Sequence, residues 1–272
     1  MKARAAARKA AAELAQRGVP DPEFEGEYLV RQAAGLSRER YFTDPELPGP
    51  AQTRLMELLA RRLAREPAAY IAGAREFYGL EFEMTPDVLV PRPETELLVE
   101  IGIAEAKRPE TFVVDVGTGS GCIATAVAVH APGAFVAATD VSVAALQVAR
   151  RNAARHGATV RFAAGDLAAC IGRADVVLAN LPYIPSGEVA ELEPEVRFWE
   201  PAVALDGGPD GLALVRRLID DCASRLRPRL LALEVGYGQA QAVAAYARER
   251  GAQVELVKDL AGIDREVCCR WM

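Results

Sequence analysis

Residues 113–128 read VVDVGTGSGCIATAVA: a β-branched run with an aspartate, glycines at every second position, and then an alanine-rich stretch free of helix breakers. The first part has the composition of a buried strand and the last that of a helix, and the glycines make the turn between them. A strand that leaves its sheet through such a turn aims backbone N–H groups at the carboxyl edge, where open α/β sheets bind ligands. Gly117, Thr118, Gly119, Ser120 and Gly121 are therefore candidates for cradling a nucleotide-like ligand. The spacing is G-x-G-x-G, with Cys122 where a dinucleotide fingerprint carries its third glycine, which weakens a nicotinamide reading.

Downstream, further short apolar runs alternate with helical patterns: AFVAATD, TVRFAAGD, DVVLAN, RLLALEVG, QVELVKD and EVCCRW. With TFVVDV before the glycines they predict an α/β fold: a Rossmann-like, seven-stranded, mostly parallel sheet whose last strand runs antiparallel. Asp140, followed by Val141, closes the second run about twenty residues past the glycines, where a carboxylate accepts from two ribose hydroxyls. That feature is common to binders of NAD and of S-adenosylmethionine. Asp166, at the end of the third run, can accept from an exocyclic adenine amine, with Leu167 beside the ring. Taken singly, each aspartate reads equally well as a helix cap; it is their common register that points to a nucleoside.

The fourth run ends in Asn180, Leu181, Pro182 and Tyr183. A carboxamide holds an amine-like group but is no base near neutral pH. Pro182 biases Leu181 towards an extended conformation, which directs the Leu181 carbonyl. Asn180 Oδ1 and that carbonyl then make two acceptors for one NH₂ group, with Tyr183 as a flat face beside it. Two acceptors pulling on an amide NH₂ localise its lone pair towards an electrophilic methyl group, which suits a nitrogen methyltransferase. A proline turn with a local asparagine cap is the structural alternative.

Residues 1–75 have a helical pattern, broken at GVPDPEFEGE and DPELPGPAQ into about four short helices. A hairpin and proline-rich linker is expected over 76–94, and the α/β domain over 95–272. The net charge of −6 argues against stable nucleic-acid binding and favours a protein or small-molecule substrate. The sequence has no apolar run of membrane-spanning length, and its cysteines lack metal-ligand spacing. A cytoplasmic protein without a metal or membrane partner is expected.

The motifs resemble, across the chain, the peptide chain release factor glutamine methyltransferases, the PrmC/HemK family: REFYG (75–79), PRPETE (91–96), DVGTGSG (115–121), NLPY (180–183), EPAVALDGGPDG (200–211) and LEVGYGQ (233–239) occur in the family's order. The resemblance implies methylation of the glutamine side-chain amide in the Gly-Gly-Gln loop of class I release factors. S-adenosylmethionine would be the donor and S-adenosylhomocysteine the product. It also implies that the helical module engages the release factor and that Arg92, Pro93 and Glu94 lie near the substrate; from the residues alone, Arg92 and Glu94 read equally as a surface ion pair. Leu181 replaces the family's usual proline, preserving a backbone carbonyl at some loss of rigidity. NLPY also resembles the motif of rRNA adenine-N(6) methyltransferases, which as a family lack the helical module and PRPETE. A nicotinamide oxidoreductase and a non-catalytic donor-binding regulator are the further alternatives.

Overall fold

The computed structural model describes residues 1–108 and 110–271. Five helices open the chain: α1 (Ala3–Gln16), α2 (Pro22–Ala34), α3 (Arg38–Phe42), α4 (Gly49–Leu63) and α5 (Ala68–Ala72). The sequence reading expected about four. Two of the five are single turns with local causes: Ser37 caps α3 by accepting the Arg40 N–H at 3.2 Å, and Pro67 presets the backbone entering α5.

The strands β1 (Ala74–Phe77) and β2 (Leu80–Glu83) pair antiparallel. Their two-residue turn has Tyr78 at φ 52° and Gly79 at φ 71°, the left-handed pair that matches hairpin twist. Then follow α6 (Glu96–Glu105), β3 (Phe112–Val116), α7 (Cys122–His130), β4 (Phe135–Asp140), α8 (Val143–Arg155), β5 (Val160–Ala164) and β6 (Val176–Asn180). The chain continues through α9 (Pro194–Trp199), α10 (Ala213–Asp221), β7 (Leu230–Glu234), α11 (Ala240–Glu249), β8 (Gln253–Lys258) and β9 (Asp264–Arg270). All seven expected strand runs are strands. α10 is shorter than its apolar pattern, because Cys222–Leu226 widens into a π-helical turn that ends on left-handed Arg227.

Two compact units result. One joins Met1–Gly73 with Glu193–Trp199; the other comprises Ala74–Leu192 and the chain from Glu200 onwards. The first unit's apolar stripes, including Leu14, Leu29, Leu55 and Leu58, close on one core. Here Arg62, 3% exposed, donates to Glu195 Oε1 at 2.9 Å and to Glu25 Oε1 at 3.2 Å, while Arg65 lies 2.5 Å from Glu195 Oε2. Burial alone would raise Glu195; Arg65 and Arg62 together hold it below the ordinary carboxylate range.

In the second unit the strands order β5-β4-β3-β6-β7-β9-β8, all parallel except β9. The central strands β3, β6 and β7 are almost wholly buried because helices cover both faces, which explains their continuous apolar runs. Strand order reverses at β3 and β6, so the crevice beyond their carboxyl ends is the topological switch point.

Candidate active site

The glycine turn is shaped from below by Asp115. Its carboxyl, fully buried in β3, accepts from Thr118 Oγ1 at 2.5 Å and from the Ala124 N–H at 3.2 Å, tying turn and helix to the strand. Burial pushes Asp115 up to about 7, with those two hydrogen bonds as partial offset. Gly117, Gly119 and Gly121 all have positive φ, at 76°, 53° and 79°. A Cβ on Gly121 would stand 2.8 Å from that of Ala149, so the turn's last glycine lets α8 pack closely. At Gly119 nothing lies within 4 Å of the missing Cβ. That is open room for a ligand.

A crevice of about 190 Å³ runs over this turn. Gly117, Gly119, Asp140, Val141, Asp166, Leu167, Asn180, Leu181 and Pro182 line it together. Thr118 and Ser120 are buried beneath the turn. Asp140 accepts from Gly119 N at 2.9 Å and Ser142 N at 2.8 Å, one bond per oxygen, and each oxygen keeps a lone pair for a ligand hydroxyl. Asp166 lies 2.6 Å from Arg217 of α10, both exposed. The sequence did not pair them. Leu167 sits at φ 50°, and its carbonyl accepts from Thr139 Oγ1 at 2.9 Å, a strained residue at a ligand-facing edge.

Asn180 lines the crevice and is held by its nitrogen: Nδ2 donates to Thr95 Oγ1 at 3.1 Å. Leu181 is buried at 3% exposure and its Cδ2 lies 3.0 Å from where a Gly117 Cβ would be. The glycine-rich segment 205–211 runs alongside: Ile184 N donates to Leu205 O at 3.1 Å and Gly207 N to Ile184 O at 2.9 Å. Tyr183 does not line the crevice. Its carbonyl accepts from Gln239 Nε2 at 2.8 Å, and its ring lies against Gly236.

Arg92 pairs with Glu200, Nη2 lying 2.8 and 3.0 Å from the two oxygens, and Glu200 is 6% exposed. Glu200 is thus an ion-pair partner, while Asp210 closes a local turn by accepting from Leu212 N at 3.1 Å. Pro93 and Glu94 line a separate hollow with Leu97 and Leu260. The sequence reading missed Thr95, Glu234 and Arg217, and the wall formed by Val88, Leu89 and Val203. Thr95 and Glu234 stand inside PRPETE and LEVGYGQ, so the signal was present but not their meeting with Asn180. Among the described residues, no His, Cys, Asp or Glu cluster could hold a metal, and no helix is long and apolar enough to cross a membrane.

Residues 5–73 match the PrmC N-terminal domain, and residues 93–203 the methyltransferase small domain. A release factor glutamine methyltransferase of Cereibacter sphaeroides is 42% identical, with 99% of each chain covered. The chain belongs to the release factor glutamine methyltransferase family. Another such methyltransferase, from Burkholderia pseudomallei, is 44% identical over 94% of each chain. Among solved structures, the ribosomal protein L11 methylase of Lactobacillus delbrueckii subsp. bulgaricus superposes with a TM-score of 0.51 at 23% identity, covering 70% of this chain and 84% of that one; this likeness concerns the fold.

Proposed function

We propose that this chain methylates the side-chain amide nitrogen of the glutamine in the Gly-Gly-Gln loop of class I release factors, with S-adenosylmethionine as donor. The observation that carries the reading is the Asn180 carboxamide, tethered by Nδ2 to Thr95, on a residue that lines the same crevice as Asp140 and the glycine turn. The crevice suits the donor: Asp140 keeps acceptors for ribose hydroxyls, Gly119 leaves open space, and Leu167 and Leu214 offer apolar surface to a base. When bound there, S-adenosylmethionine supplies a methyl group on a cationic sulfur.

The chain's own residues do the positioning. Asn180 Oδ1 and the Leu181 carbonyl accept the two hydrogens of the glutamine NH₂, hold it in line and favour the rising positive charge on nitrogen. Buried Leu181 anchors that carbonyl where the family has proline. The Arg92–Glu200 pair braces the segment before Pro201, which lines the crevice. Neither step requires a histidine, and the amide proton leaves to water after transfer. The release-factor substrate implies a cytoplasmic setting. The rRNA alternative is weaker, given the net charge of −6 and the names of the relatives.

The test is incubation with labelled S-adenosylmethionine and a class I release factor, followed by mass-spectrometric mapping of the methyl group. Label is expected on the Gly-Gly-Gln glutamine and absent from a Gln-to-Asn release factor. Label elsewhere, or on RNA alone, refutes the proposal.

A further inference from the structure

Glu234 ends β7 in register with Asn180 on one side and with Glu266 of β9 on the other. Both carboxyls are closed to solvent, at 1% and 0% exposure; Glu234 Oε2 and both oxygens of Glu266 have no partner among the described residues. Burying unsatisfied carboxyls costs stability, and an apolar side chain of similar size would relieve it. A sheet end that keeps two of them side by side, one next to the site's asparagine, is a local conflict of the kind found at functional positions.

Thr95, 2% exposed, accepts from Asn180 Nδ2 at 3.1 Å, and Glu234 is the register neighbour of Asn180 on the next strand, near enough that Thr95 and Asn180 both favour its charged form. Burial is the largest influence on Glu234 and pushes it up to about 7; Thr95, Arg265 and Asn180 oppose that shift and Glu94 adds to it. The two ends of a carboxamide are nearly isosteric. The wrong end would present donors to a substrate NH₂ and repel it.

We propose that Glu234 is a positioning residue for Asn180: together with Thr95 it takes the hydrogens of the carboxamide NH₂, so that Oδ1 faces the substrate. This rests on the methyltransferase reading of the crevice. Glu234 touches neither substrate nor donor and acts through Asn180.

The experiment uses the full chain carrying Glu234→Leu or Glu234→Gln, each alone and combined with Asn180→Ala. Methyl transfer to a release factor is measured with varied donor, melting temperatures are recorded, and the Asn180 side-chain NH₂ resonances are followed in ¹⁵N-asparagine-labelled protein. Glu234→Leu is expected to lower kcat about ten-fold or more, leave the donor KM within about two-fold, and add nothing to Asn180→Ala. It should not lower the melting temperature, and Glu234→Gln, which keeps an acceptor, should fall less. The two Asn180 NH₂ resonances should be widely split and slowly exchanging in the parent chain and converge in Glu234→Leu. A kcat within about two-fold of the parent, a KM change matching the kcat change, or an additive loss on Asn180→Ala overturns the assignment. If Glu234→Leu does not fold, Glu234→Gln and Thr95→Val read the same resonances. A parent chain that methylates no release factor would defeat the functional reading instead, while unaltered resonances in the variants would defeat this one.

Discussion

Gly207 gives a direct test of how the crevice is built. A Cβ at this position would stand 2.5 Å from Gly211 O and 2.6 Å from Pro182 O. Ordinary carbon–oxygen contact needs well over half an ångström more, and both obstacles are backbone. The backbone cannot easily give way, since Gly207 N is bonded to Ile184 O at 2.9 Å and Gly207 O accepts from Ala213 N at 3.0 Å. Overpacking of this kind costs about 1–3 kcal/mol, and the bonds on both sides place Gly207→Ala near the top, at about 3 kcal/mol. That corresponds to a melting temperature lower by about 10 °C. If the strain is released instead by moving Pro182, the neighbouring Leu181 carbonyl shifts by a large part of an ångström, and misplacement on that scale costs up to about 100-fold in rate. Calorimetric melting and methyl transfer at saturating donor and release factor measure the two outcomes. Gly172→Ala is the control: nothing lies within 4 Å of its Cβ, so stability should hold or rise slightly. A Gly207→Ala protein that melts with the parent and turns over within about two-fold would refute the picture of a glycine-moulded motif.

Three further outcomes are expected. Asn180→Ala should cut turnover by about 100-fold or more while leaving donor affinity nearly unchanged by calorimetry, since it removes an acceptor for the substrate amide; an unchanged rate would refute its role. Asp115 and Glu234, both pushed up to about 7, and Glu266, raised well above its ordinary value, bind protons more tightly folded than unfolded. Their stabilisation is complete below about pH 4 and is lost as pH rises through about 7, with Glu234 alone contributing about 3 kcal/mol, so urea midpoints should fall between about pH 5 and 8. A midpoint that rises across that window contradicts the burial of these groups. Arg217→Ala frees Asp166 from an exposed ion pair and should change donor affinity by less than about 1 kcal/mol, so a ten-fold effect in titration calorimetry would show the pair is more than a surface contact.

The sheet was legible because its signals are local: each strand run is β-branched or apolar, and all but the last end at a glycine, aspartate or asparagine. Asp140 could be placed for the same reason, since its position at a strand end fixes its face. The meeting of Asn180 with Thr95 could not, because 85 residues separate them and the contact depends on how the Pro93–Thr95 turn sits against the sheet end. The contacts of Tyr183 were not legible either: its ring packs at Gly236 and its carbonyl is tied to Gln239, both from a segment some fifty residues on. The pairing of Arg92 with Glu200 was equally hidden, because 108 residues separate them and only the folded chain brings them together.

The clasp of Arg62 and Arg65 on Glu195 bears on how such chains can be recombined. The helical unit is not a contiguous stretch of sequence, because it borrows Glu193–Trp199 from a point far downstream. A chimera that exchanges only the first 73 residues between two relatives would bring in arginines whose downstream carboxylate partner belongs to the other parent, leaving buried Arg62 to Glu25 alone. Grafting has to carry both pieces, and drift in one should leave its mark in the other.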